Sequence, residues 1–353
     1  MKKRSLIVTG LAMVLFGATA CTGTPSVDGS APTDGGSETG SAKIGGSLVI
    51  YTPNEQDMLK ALIPAFEKET GVKVELVTDD IDELYTRITT EVGDPQGDVL
   101  FGGGVAQAMS SSQLWQNHIG ANNSAMIAIG QNVGGYSTPY QANGSVLLVN
   151  TDKVGSIKIE SYRDLLNSEL KGKIAFGDPT SSSSAFAQLT NMLMALGGDY
   201  TSKAGWDYVG KLLARTGGAS ISSADQVGQD LADGEYIVAL TDEALSLSFV
   251  EAGSPVKIVY PREGTVFLPS GVEIIKDAKN LAQARAFCDW IQSEEAQQII
   301  ADSTNGRPLR ADVAKEGVTT WTHINRLNED SAYVSANRAT IIAKFEALLA
   351  AVK

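Results

Sequence analysis

Short apolar runs alternate with stretches of helical periodicity along most of this chain, and that alternation limits the folds open to it more than any other feature. Residues 47–52 read as a strand that runs into Pro53 and Asn54. Met58, Leu59, Leu62, Ile63 and Phe66 then recur at helical spacing until Gly71 stops the helix. Residues 72–77 read as a second strand, 81–92 as a helix closed by Gly93, and 98–101 as a strand ending in Gly102, Gly103 and Gly104. The grammar repeats: strand 145–150, helix 162–166, strand 173–177, and a long helix carrying Phe186, Leu189, Met192, Leu193 and Leu196. Helices at 206–213 and 226–232, strands at 236–241, 256–260 and 272–276, and a mostly helical remainder complete the chain. Strands that alternate with helices pair in parallel and are covered by those helices, so the expected class is α/β. A chain of 353 residues exceeds the size at which single cores stop growing, so two lobes are expected, 47–140 with 268–353 and 141–267.

The amino-terminal segment has a different grammar. Lys2, Lys3 and Arg4 precede an apolar run that ends at Ala18, Ala20 and Cys21, and a polar stretch to residue 46 follows. The run is too short to span a bilayer comfortably, and small residues before a cysteine suit a lipoprotein signal peptidase. Residues 1–20 are therefore expected to be a signal peptide, Cys21 the lipidated residue, and 21–46 a flexible tether that lacks the apolar content to order itself. This places the working protein outside the cytoplasm, held to a membrane by lipid, with no membrane span.

A net charge of −13 argues against nucleic acid as a partner. It leaves the sign of charge inside a cleft open. Cys288 sits near Phe287 and Ile291 on a helical face and reads as a small buried thiol, while His118 and His323 stand outside any metal-ligand spacing.

Functional candidates gather where strands give way to helices, because ligands in open parallel sheets sit beyond the carboxyl ends of strands. The strongest signal is Asp178, Pro179, Thr180, Ser181, Ser182, Ser183 and Ser184. A helix start offers unpaired N–H groups, and a run of hydroxyls adds donors, a combination suited to an oxyanion; simple capping needs only one of them. Thr52 and Asn54, Gly103 and Gly104, and Thr241, Asp242 and Glu243 occupy equivalent junctions. Tyr140 and Asn143 are placed at a crossing between lobes. Glu263 and Arg307 are further candidates, the latter for pairing with an anion. No Gly-x-Ser-x-Gly elbow, no histidine paired with a nucleophile and no dinucleotide fingerprint appears, so neither an enzyme nor a cofactor or resident metal is expected.

Several segments together resemble the type 2 solute-binding proteins of ABC importers, in the cluster of ferric-ion, thiamine, phosphonate and sugar-phosphate receptors. They are 48–51, 62–74, 94–103, 170–180, 231–235 and 269–280, in the expected order. The resemblance implies two lobes of the periplasmic-binding-protein type II fold, closing on a small solute and then docking on permease subunits, with the receptor a monomer. Where ferric-ion receptors place two adjacent tyrosines, this chain has Asp242 and Glu243. The serine-rich turn looks more like members that hold a phosphate or phosphonate, so the expected solute is a small anionic metabolite. A ferric-ion or metal-complex receptor of the same fold, and a secreted phosphoester hydrolase, are the alternatives.

Overall fold

The computed structural model describes residues 43–217 and 223–352. The signal segment, Cys21 and most of the tether lie outside the described residues. The first strands and helices are β1 (Ser47–Thr52), α1 (Gln56–Thr70), β2 (Lys73–Thr78), α2 (Ile81–Thr90), β3 (Val99–Gly104) and the short α3 (Val105–Ser110). Gly71 ends α1 in the left-handed region at φ 73°, where a glycine carries no Cβ penalty. Leu59, Leu62, Ile63 and Phe66 form the buried face of α1 against β1 and β3, as their spacing requires.

The chain continues with β4 (Thr138–Asn150), β5 (Ile174–Phe176), α4 (Ser183–Gly197), α5 (Lys203–Thr216), α6 (Ala224–Ala232), β6 (Val238–Asp242), α7 (Glu243–Glu251) and β7 (Val256–Val259). It returns through β8 (Thr265–Ile274), α8 (Leu281–Ile291), α9 (Glu294–Ser303), β9 (Arg307–Pro308), β10 (Arg326–Leu327) and α10 (Ser331–Val352). The strands run in the order β2, β1, β3, β8, β4, β6, β5. Pairing is parallel for β1 with β2 and β3 and for β5 with β6, and antiparallel where β8 and β4 join the two groups. The fold is therefore α/β around a mixed sheet.

Two strands are longer than their apolar runs suggest. β4 begins at Thr138 and β8 at Thr265, so both pass from one strand group into the other. The stretches ahead of their apolar runs carry Pro139, Gly144, Pro269 and Gly271, which mask the alternation that marks a strand. Residues 304–330, read from sequence as mostly helical, hold instead β9, β10 and a single 3-10 turn, with Gly306, Pro308 and Gly317 interrupting any helix.

Each strand group has its own core. Leu48, Ile50, Phe66, Phe101, Phe287 and Ile291 form one, with Phe66 and Phe287 edge to face at 5.0 Å. Leu147, Phe176, Leu189, Trp206, Leu212 and Leu240 form the other. The sequence groups the carboxy-terminal helix with 47–140, but α10 packs Val334, Ile341 and Phe345 into this second core. Phe345 meets Phe176 edge to face at 6.1 Å, and Lys344 lies over the Trp206 ring. An apolar stripe shows that a helix buries one face, and not which surface receives it.

Candidate functional site

A cleft of about 660 Å³ opens between the two strand groups. One wall comes from the β1–α1 junction, with Asn54, Glu55, Asp57 and Met58, and from Ser270 and residues 302–306 at the end of α9. The other comes from Asp242 and the first two turns of α7, with Glu251 and Asp225 beyond them. Gln141, Ala142 and Asn143 of β4 form the floor.

Asn54 is fixed by its surroundings. Its Nδ2 donates to the Phe101 carbonyl at 3.1 Å, its Oδ1 accepts from the Tyr140 hydroxyl at 3.2 Å, and its backbone N–H donates to Thr52 Oγ1 at 3.1 Å. Gly102 makes this possible: at φ 118° any Cβ there would lie 2.8 Å from the Asn54 amide. Thr52 and Tyr140 are themselves fully buried and act behind Asn54 rather than at the cleft surface. Burial raises the Tyr140 phenol above its ordinary range, with the nearby Glu273 acting in the same direction and the Asn54 hydrogen bond opposing.

On the facing wall, Asp242 caps α7 by accepting from the Leu245 N–H at 3.0 Å and also accepts from Asn143 Nδ2 at 2.9 Å. Asn143 Oδ1 in turn accepts from the Ala244 N–H at 3.1 Å. These bonds tie the floor to the helix start.

Thr241 and Glu243 flank Asp242 and face away from the cleft. Thr241 is buried on β6. Glu243 accepts from Arg307 Nε at 2.7 Å and Nη2 at 2.8 Å, and from the Tyr260 hydroxyl at 2.6 Å. Glu243 and Arg307 side chains are 1% and 2% exposed. Both are expected from sequence as ligand contacts; the fold spends their charges on each other instead. Glu263 has a comparable fate, accepting from the Tyr162 and Arg163 N–H groups at the start of a 3-10 turn.

The serine-rich turn closes on itself. Asp178 Oδ1 accepts from the Thr180 N–H at 2.9 Å and hydroxyl at 2.7 Å, and the Asp178 carbonyl accepts from the Ser181 and Ser182 N–H groups. Ser182 is the N-cap of α4, bonded to the Ala185 N–H. Ser183 is the exposed first residue of that helix. None of 178–183 lines the cleft. A carboxylate already receives donors that an incoming oxyanion would use.

Gly103 and Gly104 do not line it either. Gly103 backs onto Glu273 of β8, which is fully buried: a Cβ at Gly103 would lie 3.2 Å from Glu273 Oε2 and 3.7 Å from the Tyr85 hydroxyl. Ser137 donates to Glu273 Oε1, while Oε2 has no protein partner. Burial pushes this carboxyl up to about 8, with the Ser137 hydrogen bond pulling the other way. Nothing in the alternating strand pattern around Glu273 announces it.

Five acids that the sequence did not single out join Asp242 in setting the charge of the cleft. Glu55, Asp57, Asp225, Asp242, Glu251 and Asp302 line it, and no Lys, Arg or His is among its described lining residues. All six sit in first or last turns of helices or just before one, where an acid is ordinarily read as a dipole partner or solvated end. Lys60 pairs with Asp57 at 3.6 Å on the open side. Lys315 donates to the carbonyls of Ala301 and Thr304. Gln141 Oε1 is buried, without a protein partner, and packed against Gly306. Among the described residues no group of three or more His, Cys, Asp or Glu is placed to hold a metal ion, and no helix is long and apolar enough to cross a membrane.

Two strand groups joined by crossing strands, with a polar cleft between them, form a two-walled site of the kind that takes up a small solute. The chain belongs to the bacterial extracellular solute-binding protein family, whose model matches residues 61–326, and it is a type 2 solute-binding protein of an ABC importer. A putative 2-aminoethylphosphonate-binding periplasmic protein of Salmonella paratyphi A is 26% identical over 275 residues, 73% of this chain and 79% of that protein. Iron uptake protein A1 of Synechocystis is 23% identical over 282 residues, 75% of this chain and 76% of that protein. The periplasmic binding protein AfuA from Actinobacillus pleuropneumoniae, solved with fructose-6-phosphate bound, superposes with a TM-score of 0.68 at 24% identity, covering 86% of this chain and 98% of the other.

Proposed function

We propose that this receptor captures a small solute bearing at least one protonated amine, tethered at the outer face of a membrane through a lipid on Cys21, and delivers it to its permease. The observation that carries the reading is the ring of six carboxylates with no cationic side chain among the described lining residues. The anionic metabolite expected from the serine turn would meet like charge and no cationic side chain among the described lining residues. Two unit charges about 4 Å apart interact by roughly 1 kcal/mol in water and about 4 kcal/mol near a protein surface, so the sign of the walls selects the sign of the group beside them. The 2-aminoethylphosphonate-binding relative points to a compatible solute, with an amine at one end and a phosphonate at the other.

Calorimetric titration with 2-aminoethylphosphonate, putrescine, methylphosphonate, fructose-6-phosphate and ferric citrate tests the reading. Amine-bearing solutes are expected to bind, with affinity falling as salt rises. Methylphosphonate binding as tightly as 2-aminoethylphosphonate would overturn it, and binding of ferric citrate alone would favour the iron reading. Mass spectrometry of membrane-extracted protein checks acylation at Cys21.

A further inference from the structure

The buried pair of Glu243 and Arg307 stands one residue behind the cleft on both sides. Asp242 and Ala244 flank Glu243, Asn305 and Gly306 precede Arg307, and all four line the cleft. We propose that this pair is a positioning pin that fixes the separation of the two cleft walls beside the crossing strands. It rests on the receptor reading only for its consequence for affinity.

Both ends of the pin are anchored to β4. Arg307 on β9 is paired opposite Ala142, and Asp242, next to Glu243, is paired opposite Ser145. Three residues of strand span roughly 10 Å, so a bend of β4 elsewhere moves the two anchors little relative to each other. The contact itself resists separation. Arg307 gives Nε and Nη2 to the two oxygens of Glu243, a further Nη2 bond to the Tyr260 hydroxyl at 2.9 Å, and Nη1 to the Thr319 carbonyl at 2.9 Å. Its guanidinium lies 4.6 Å from the Trp321 ring centroid, 5.3 Å from that of Phe267 and 5.6 Å from that of Tyr260. Phe267 belongs to β8, the second crossing strand, so one guanidinium ties both crossing strands to the start of α7. Pulling the pair apart would leave each charge in an apolar box, so motion that keeps the pair closed costs less than motion that parts it. Motion between the two halves therefore turns about the pin, and Asp242 and Asn305 keep their spacing.

The test needs no ligand. In the double variant Glu243→Leu, Arg307→Met, which replaces the charges by side chains of similar volume, amide exchange at Ala244 and Leu245 is expected to rise roughly tenfold or more. Its radius of gyration from small-angle scattering is expected to increase, with cooperative melting retained. A folded double variant with wild-type exchange at 244–245 and wild-type dimensions overturns the proposal. Should the double variant not fold, Arg307→Lys decides: it keeps the charge and loses the fork, and must raise exchange at the same two amides while melting cooperatively. Unchanged exchange in that variant, or failure of both variants to fold, assigns the pair to the core and overturns the pin. Titration of 2-aminoethylphosphonate then separates the two readings. Wild type that does not bind it, alongside a loosened double variant, leaves the pin standing and removes the amine reading.

Discussion

Among the described residues, Glu243 and Glu273 are the two buried glutamates, one behind each wall of the cleft region, and they are buried on opposite terms. Glu243 meets the guanidinium of Arg307 and the hydroxyl of Tyr260, and both of its oxygens are occupied. Glu273 meets one serine hydroxyl, and its second oxygen has no protein partner. The difference lies in what each carboxyl meets when it leaves water. Glu243 has a guanidinium within hydrogen-bonding distance, whereas desolvation without a cation pushes Glu273 up to about 8 and leaves it protonated near neutrality. The first is held in a two-pronged ion pair; the second is a neutral acid inside a strand.

The largest break in this comparison comes from Arg307→Met alone. It turns Glu243 into an unpaired buried charge like an ionised Glu273, and the expected loss is about 3–5 kcal/mol in urea unfolding. Glu273→Gln sharpens the other side. The folded state holds a proton that the unfolded chain releases above the ordinary carboxyl range near 4.3, so the folded state binds more protons between there and about 8. Stability contributed by this site therefore falls as pH rises through that window. Gln cannot ionise, so the variant should show a shallower decline of Tm with pH and exceed wild type by about 4 °C or more at pH 8.

Asp242, one residue before Glu243, extends the contrast to a carboxylate at the cleft. Asp242→Asn retains the Leu245 cap and should weaken an amine-bearing solute about tenfold, close to 1.4 kcal/mol, in a calorimetric titration. The smallest effect is expected at the serine turn. Ser182→Ala removes the α4 cap, costing about 1 kcal/mol in stability. Solute affinity should stay within about twofold of wild type, and a tenfold loss would restore that turn to the binding site.

Local chemistry made much of the fold legible. Leu59, Leu62, Ile63 and Phe66 appear on the buried face that their spacing requires, Gly71 stops α1 in a left-handed turn, and the alternation of strands and helices corresponds to the α/β architecture. Asn54, Asn143 and Asp242 were also legible as cleft residues, since ends of strands converge by topology. The run of hydroxyls at 180–183 carries the same local signature whether it caps a helix or holds a ligand. Its direction relative to the cleft depends on how α4 packs, which the run does not contain.

The sequence by itself determined the class of fold, the stop of α1 at Gly71, and the family, because these follow from periodicity, capping and a series of motifs in order. Only the tertiary structure decided which acids face the cleft and which are hidden. Glu243 and Arg307 are 64 residues apart, and Ser137 and Glu273 are 136 apart. Such pairs form when crossing strands bring distant segments together, and spacing along the chain carries no record of which side chains meet there. The sign of the cleft follows from that assembly: Arg307 is turned into a box of aromatic rings, and the six carboxylates are left along the walls.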